Sequence, residues 1–154
     1  SVEGACPSSP GEGRLAGEAF RVVTFNVRRF KLSCGNCSAA AVGDAIAQWR
    51  PSLVALNEVD IGLRPEALQV VAERLGNFSV AFFGHVGGGN YGNALLSRFP
   101  IAAVRETHLR GGSEISIAPG TVKRNGEIAE EGEVHRIARG LLECDVELPS
   151  AVAG

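Results

Sequence analysis

Methionine is absent from the sequence, and aromatic side chains make up only 6% of its 154 residues. A newly translated chain normally begins with methionine, so we expect both ends of this sequence to be cut edges of a longer chain. The far end supports this expectation, because residues 151–154 directly follow a strand-like run.

Long apolar runs are also lacking. No run approaches the roughly 20 residues that a membrane-spanning helix requires, and no basic-then-apolar leader opens the sequence. We therefore expect a soluble protein without a visible targeting signal, and the sequence does not indicate its compartment. With 45% hydrophobic and 21% charged residues, the composition is that of an ordinary globular domain.

There is no excess of positive charge, since the formal net charge is -2 at pH 7. This balance argues against a protein coated with basic residues for general nucleic-acid binding. A local basic groove is still compatible with it, because affinity for phosphate follows the local field.

Cysteine is scarce, and only Cys34 and Cys37 form a recognisable pair. A zinc site would need a second pair of Cys or His residues at similar spacing, which the sequence does not offer. We interpret the pair as plain loop cysteines, either reduced or bridged to each other, and the redox compartment stays open.

The pattern along the chain predicts a lead-in followed by one domain. Residues 1–18 are rich in Gly, Pro and Ser without a hydrophobic period, which is typical of a disordered or loosely attached segment. From residue 19 onwards, strand-like and helix-like patterns alternate. The apolar runs 20–27 and 52–56 predict two strands that are buried on both faces.

Two helices are predicted, the first from Ser38 to a stop before Pro51 and the second between Pro65 and Gly76. Further strands are expected at residues 80–83, 94–97 and 101–107, followed by a polar surface excursion from 110 to 134, either a flexible loop or a hairpin. In the last run, 142–148, apolar and acidic residues alternate, so one face should be buried. The mixture favours an α/β sandwich with helices outside packed sheets.

Polar oxygen-bearing side chains follow the first two predicted strands. Asn26 ends the first strand, where its amide either caps a turn or belongs to a site. Glu58 follows the second buried run, where a carboxylate needs a cationic partner. Mg²⁺ suits such hard oxygen ligands, and an ion pair with Arg28 or Arg64 is the alternative. A helix separates the two strands, so both side chains should lie at one edge of the sheet.

Three sequence blocks, at residues 23–27, 51–60 and 91–101, together resemble the opening half of the endonuclease/exonuclease/phosphatase superfamily. The run 139–148 is similar to the family strand that follows. The resemblance implies a deoxyribonuclease-I-like four-layer α/β/β/α sandwich, of which residues 19–154 would be the incomplete amino-terminal part. It also implies hydrolysis of phosphodiester or phosphomonoester bonds with Mg²⁺, or with Mn²⁺ in its place.

Carried over by position, the resemblance makes Glu58 the carboxylate metal ligand and places Asn26 beside the metal and the scissile phosphate. Asn93 would act in catalysis and shape the substrate cleft, and Arg64 could contact phosphate through its guanidinium. One departure is that Asn57 stands where the family usually has Gln, which casts doubt on fine geometry.

The family's second half should bring a His, an Asp-x-Asn pair and an Asp-His pair, and none can be placed here. We expect His85, His108 and His135 to be surface or loop residues. These 154 residues should therefore be inactive and poorly stable alone. The substrate could be nucleic acid, an inositol phosphate or a phospholipid head group. A catalytically dead sandwich used for binding is the alternative function, and an accidental resemblance is a third interpretation.

Overall fold

A computed structural model of the chain describes residues 19–31, 38–86, 88–122 and 126–149. The elements, in chain order, are β1 (Val22–Asn26), a 3₁₀ turn (Arg28–Phe30), α1 (Ala39–Ala47), β2 (Leu53–Asp60), α2 (Ala67–Arg74), β3 (Ser79–Val86), β4 (Tyr91–Ser97), β5 (Ile101–Ser116) and β6 (Val134–Val146). The predicted lead-in and the Cys34 and Cys37 pair lie outside the described residues. No helix in the described part of the chain is long and apolar enough to cross a membrane.

Four strands form the first sheet in the order β1-β2-β4-β3. Strands β1 and β2 are parallel, and β4 is antiparallel to both of its neighbours. The register between β2 and β4 shifts, because Leu56 pairs with Ala94 while Val59 pairs with Gly92. Two residues of β2 therefore face one residue of β4, which is a β-bulge.

Both helices cover one face of this sheet. Their apolar side chains form one core with alternate residues of β2 and β4, and Val54, Leu96 and Val71 in that core have no exposed surface. Burial of each such side chain contributes about 1.5–3 kcal/mol. The bounds of α2 agree with its predicted limits, and Gly76 just beyond it has a φ of 95°.

The hairpin of β5 and β6 is a second sheet that packs on the opposite face, against β3 and β4. Along β6, Leu142 and Cys144 line an inter-sheet cavity of about 340 Å³, while Glu143 and Asp145 point outward and pair with Arg105 at 2.8 Å. The predicted alternation is confirmed, as are the α/β class and the face-to-face sheets. The polar excursion begins and ends within this hairpin, since β5 reaches Ser116 and β6 begins at Val134, and an isolated bridge joins Val122 to Ile128 between them.

Two predictions about strands were wrong. Strand β1 is not buried on both faces, because Val22 is 60% exposed and Phe25 is 46% exposed. In the described part of the chain, β1 is an edge strand that pairs with β2 alone. The second predicted strand does not end at Leu56 but continues through the bulge to Asp60.

Gly140 lies where the two sheets are in close contact, and it gives the first testable prediction. A Cβ at this position would lie 2.6 Å from Cε1 of Phe83 and 2.7 Å from Cβ of His85. We expect Gly140→Ala to force the sheets apart and to lower the free energy of unfolding by about 1–3 kcal/mol. Urea unfolding measures this change. The matched control is Ala138→Val, which adds bulk at an exposed position of the same strand. The same free energy of unfolding in Gly140→Ala and Ala138→Val would contradict the close packing at Gly140.

Candidate active site

The bulge in β2 gathers polar side chains on the face opposite the helices. Leu56 and Val59 flank the bulge, and both belong to the helix-side core. Asn57 and Glu58, which lie between them, therefore share the other face and stand opposite Asn93 of β4. On the far side of β2, Asn26 of β1 pairs with Asn57. The polar row, defined as Asn26, Asn57, Glu58 and Asn93, thus crosses three strands at one level.

Asn26 caps the turn that follows β1. Its Oδ1 accepts a hydrogen bond of 2.9 Å from the backbone N–H of Arg28. The turn is strained, because Arg28, Arg29 and Phe30 have φ angles of 46°, 60° and 52° and each left-handed residue costs about 1–2 kcal/mol. The fully buried ring of Phe30 anchors it. The turn-cap interpretation of Asn26 is therefore correct, while its amide Nδ2 takes no part in that bond.

Glu58 is half-buried and has a φ of 58°, in the left-handed region. Its carboxylate interacts with the hydroxyl of Tyr91. Among the ion pairs of the described residues none joins Glu58 to Arg28, one of the two predicted alternatives. Burial raises the pKa of Tyr91, and the negative charge of Glu58 raises it further.

Asp60 is a buried carboxylate that the sequence reasoning missed. It is 1% exposed, and its Oδ1 accepts hydrogen bonds from the backbone N–H groups of Gly62 and Leu63, at 3.1 and 3.0 Å. Its Oδ2 lies 4.0 Å from Nε of Arg29, whose guanidinium carbon lies 5.0 Å from the centre of the Tyr91 ring. The signal for this residue was an Asp two positions before a Gly, the pattern of a side chain that folds back on its own turn.

The remaining predicted site residues are placed as follows. The Nδ2 group of Asn57 donates to Oγ1 of Thr24 at 3.4 Å, so this shorter amide turns toward β1. Asn93 donates weakly to the carbonyl of Gly140 at 3.5 Å and so links the polar row to the second sheet. Arg64 is half-buried in the loop after β2, where its backbone N–H donates to the carbonyl of Asp60. It therefore lies in that loop and not on the strands that carry the polar row.

The histidines differ from one another. His85 is not a surface or loop residue, because β3 extends through it and its Nδ1 is buried without a hydrogen-bond partner. Burial lowers its pKa. His108 is exposed on β5, as expected, with its ring against Phe83 at 5.0 Å. His135 lies on β6.

Tyr91 offers a direct measurement of the local field, because it is the only tyrosine in the sequence. We expect Glu58→Gln to lower the pKa of Tyr91, since removal of the negative charge makes tyrosinate less unfavourable. Burial of Tyr91, which also raises its pKa, is unchanged in this variant. Absorbance of the tyrosinate form during an alkaline titration measures it. The control Glu106→Gln, at an exposed site on β5, should leave the pKa unchanged. An unchanged pKa in Glu58→Gln would contradict the contact.

Comparisons with known proteins bear on the same region. The profile of the "Endonuclease/Exonuclease/phosphatase family" matches residues 23–132. An endonuclease/exonuclease/phosphatase family protein from Leptotrichia buccalis C-1013-b has 22% sequence identity and a TM-score of 0.46, over 58% of this chain and 42% of that one. The endonuclease/exonuclease/phosphatase from Beutenbergia cavernae DSM 12333 has 20% identity and a TM-score of 0.47, over 85% and 35%.

The chain thus spans less than half the length of either solved structure. A search of curated proteins found no match. The family profile, however, covers more than half of the chain and includes the polar row. On that match, the chain belongs to the endonuclease/exonuclease/phosphatase family.

Proposed function

We propose that this chain carries the metal-ligand part of a phosphoesterase site that hydrolyses phosphodiester or phosphomonoester bonds. The observation that carries the proposal is the bulge in β2, which brings Asn26, Glu58 and Asn93 into one row on the open face. Any two of these residues are separated by more than thirty positions in sequence, so their convergence is a property of the fold. Family membership supports the same reaction class.

The donor set fits a hard divalent cation, Mg²⁺ or Mn²⁺. The described residues contain no group of three or more His, Cys, Asp or Glu side chains that could hold a metal ion. Mg²⁺ does not need one, because it is commonly held by one or two carboxylates together with water and substrate phosphate. Glu58 would be the carboxylate ligand, with the Oδ1 of Asn26 beside it. A bound divalent cation would supply Lewis-acid stabilisation of the charge that develops on the phosphoryl oxygens.

The turn after β1 gives this site a local positive charge. Arg28, Arg29 and Lys31 are all exposed on the segment that follows Asn26. These side chains would attract a phosphate group although the whole chain is slightly acidic, because the field at a cleft depends on the nearest charges. The amide nitrogen of Asn26 is a further donor to a phosphate oxygen. Together these groups bind and orient a phosphate ester beside Glu58.

A binding role without catalysis is the second candidate. It is favoured by one observation: the rings of His85 and His108 both pack against Phe83, and neither ring has a described contact with Glu58. Both candidates require metal and phosphate to bind at the row, and only the first requires turnover. We therefore expect the 154-residue chain to show measurable Mg²⁺ binding but little or no hydrolysis of a phosphate ester.

The central prediction concerns Glu58. We expect Glu58→Gln to reduce Mg²⁺ affinity by at least about tenfold, because a neutral amide does not balance the charge of the cation. Calorimetric titration of the chain with Mg²⁺ measures this, and hydrolysis of bis(p-nitrophenyl) phosphate is followed across the same titration. Glu106→Gln is the control for loss of one exposed carboxylate. Equal affinity in wild type and Glu58→Gln would refute the metal site.

A second prediction separates the two roles of Asn26. Asn26→Asp keeps the Oδ1 acceptor of the turn but removes the amide donor, so the melting temperature should hold while ester binding weakens. Asn26→Ala should also lose about 1 kcal/mol of stability through the missing cap. Binding of bis(p-nitrophenyl) phosphate in saturating Mg²⁺, with thermal melting alongside, distinguishes them. Normal ester binding in Asn26→Asp would mean that the side chain only caps the turn.

A further inference from the structure

We infer that Tyr91 is a positioning residue for the Glu58 carboxylate, and that Arg29, anchored by the buried Asp60, holds Tyr91 in place. The inference rests on the proposed metal site at Glu58. It assigns Tyr91, Arg29 and Asp60 to the support of that ligand and links the site to the turn after β1.

Glu58 needs such support because of where it lies. A bulge interrupts the hydrogen-bond ladder and leaves the extra residue unpaired. Glu58 is in that bulge, with left-handed backbone and a half-buried side chain. Regular strand pairing therefore does not fix the direction of its carboxylate. Tyr91 pairs with Asp60 directly beside the bulge, and its hydroxyl interacts with the Glu58 carboxylate.

Tyr91 is itself confined from two sides. It begins β4 and pairs in register with Asp60. The guanidinium of Arg29 lies over its ring, with 5.0 Å between the central carbon and the ring centroid, and also interacts with its hydroxyl. A cation above the ring face is attracted to the negative face of the aromatic system. The ring is thus held between strand pairing and a cation.

Asp60 supplies the charge that retains Arg29. A carboxylate that is 1% exposed is costly unless its oxygens are satisfied. Its Oδ1 has two backbone donors, whereas Oδ2 is buried without a hydrogen bond. The charge near Oδ2 is that of Arg29, at 4.0 Å from Nε. Arg29 is 52% exposed, so this buried anion is what draws one edge of its guanidinium inward.

The backbone of Arg29 gives an independent reason to assign it a role. It is the middle one of three successive residues with left-handed φ, a conformation that L-residues other than glycine adopt only when their surroundings impose it. Glycine would adopt the same backbone without strain. A change to glycine at this position therefore removes the side chain and relaxes the backbone together, which separates function from stability.

The experiment measures Mg²⁺ affinity of the 154-residue chain by calorimetry, with melting temperature as the second readout. We expect Tyr91→Phe to weaken Mg²⁺ binding about tenfold, the usual effect of losing a group that orients a metal ligand, with little change in melting. Arg29→Gly should weaken it similarly while melting at the same or a higher temperature. Arg29→Lys should restore part of the affinity, since the charge remains but the planar stack is lost.

Arg50→Gly is the matched control, because Arg50 is also exposed with a left-handed φ of 47° but lies beyond the end of α1. It should relax the backbone equally and leave Mg²⁺ affinity at the wild-type value. Wild-type affinity in both Tyr91→Phe and Arg29→Gly, while Glu58→Gln loses binding, would overturn this inference and leave the proposed function standing. Absence of any Glu58-dependent Mg²⁺ binding in the wild type would overturn both.

Discussion

The β-bulge between Leu56 and Val59 is the constraint on which the rest of the site depends. Side chains alternate along a strand, so one extra residue reverses the face of everything after it. In this chain the extra residue returns Val59 to the helix-side core, where it has no exposed surface, and places Asp60 beside Tyr91 on the other face. The same irregularity therefore completes the apolar core and releases Glu58 from regular pairing.

Charge around the bulge is arranged in layers. A buried carboxylate, Asp60, lies deepest, and Arg29 lies next to it and over the ring of Tyr91. The half-buried Glu58 interacts with the hydroxyl of Tyr91. Each group in this series compensates a neighbour of opposite sign or polar character, which lowers the cost of holding a carboxylate away from water. The strained turn after β1, which the buried ring of Phe30 anchors, places Arg29 within this series.

The hairpin of β5 and β6 covers only part of the face of the first sheet that lies opposite the helices. The rest of that face is accessible to solvent. Over β3 and β4 the hairpin lies close, with Gly140 against Phe83. Over β1, the side chains of Val22 and Asn26 stay exposed in the described structure. The polar row runs from one part into the other, so Asn93 contacts the hairpin while Asn26 meets solvent. The described helices cover the other face of the first sheet, so the helices, the first sheet and the hairpin form three successive layers.

The sequence by itself determined the features that local chemistry controls. Pro65 and Gly76 bounded α2, and the alternation after Leu142 identified the buried face of β6, because φ restrictions and side-chain period act within a few residues. It also singled out Asn26 and Glu58 by type and order, and the family resemblance added Asn93. Other features emerge only in the folded chain: the bulge, the exposure of β1, the burial of the Nδ1 atom of His85, and the contacts of Tyr91 with Arg29 and Asp60. Those features arise from pairing between strands that are distant in the chain, and no local pattern encodes which residues will face each other there.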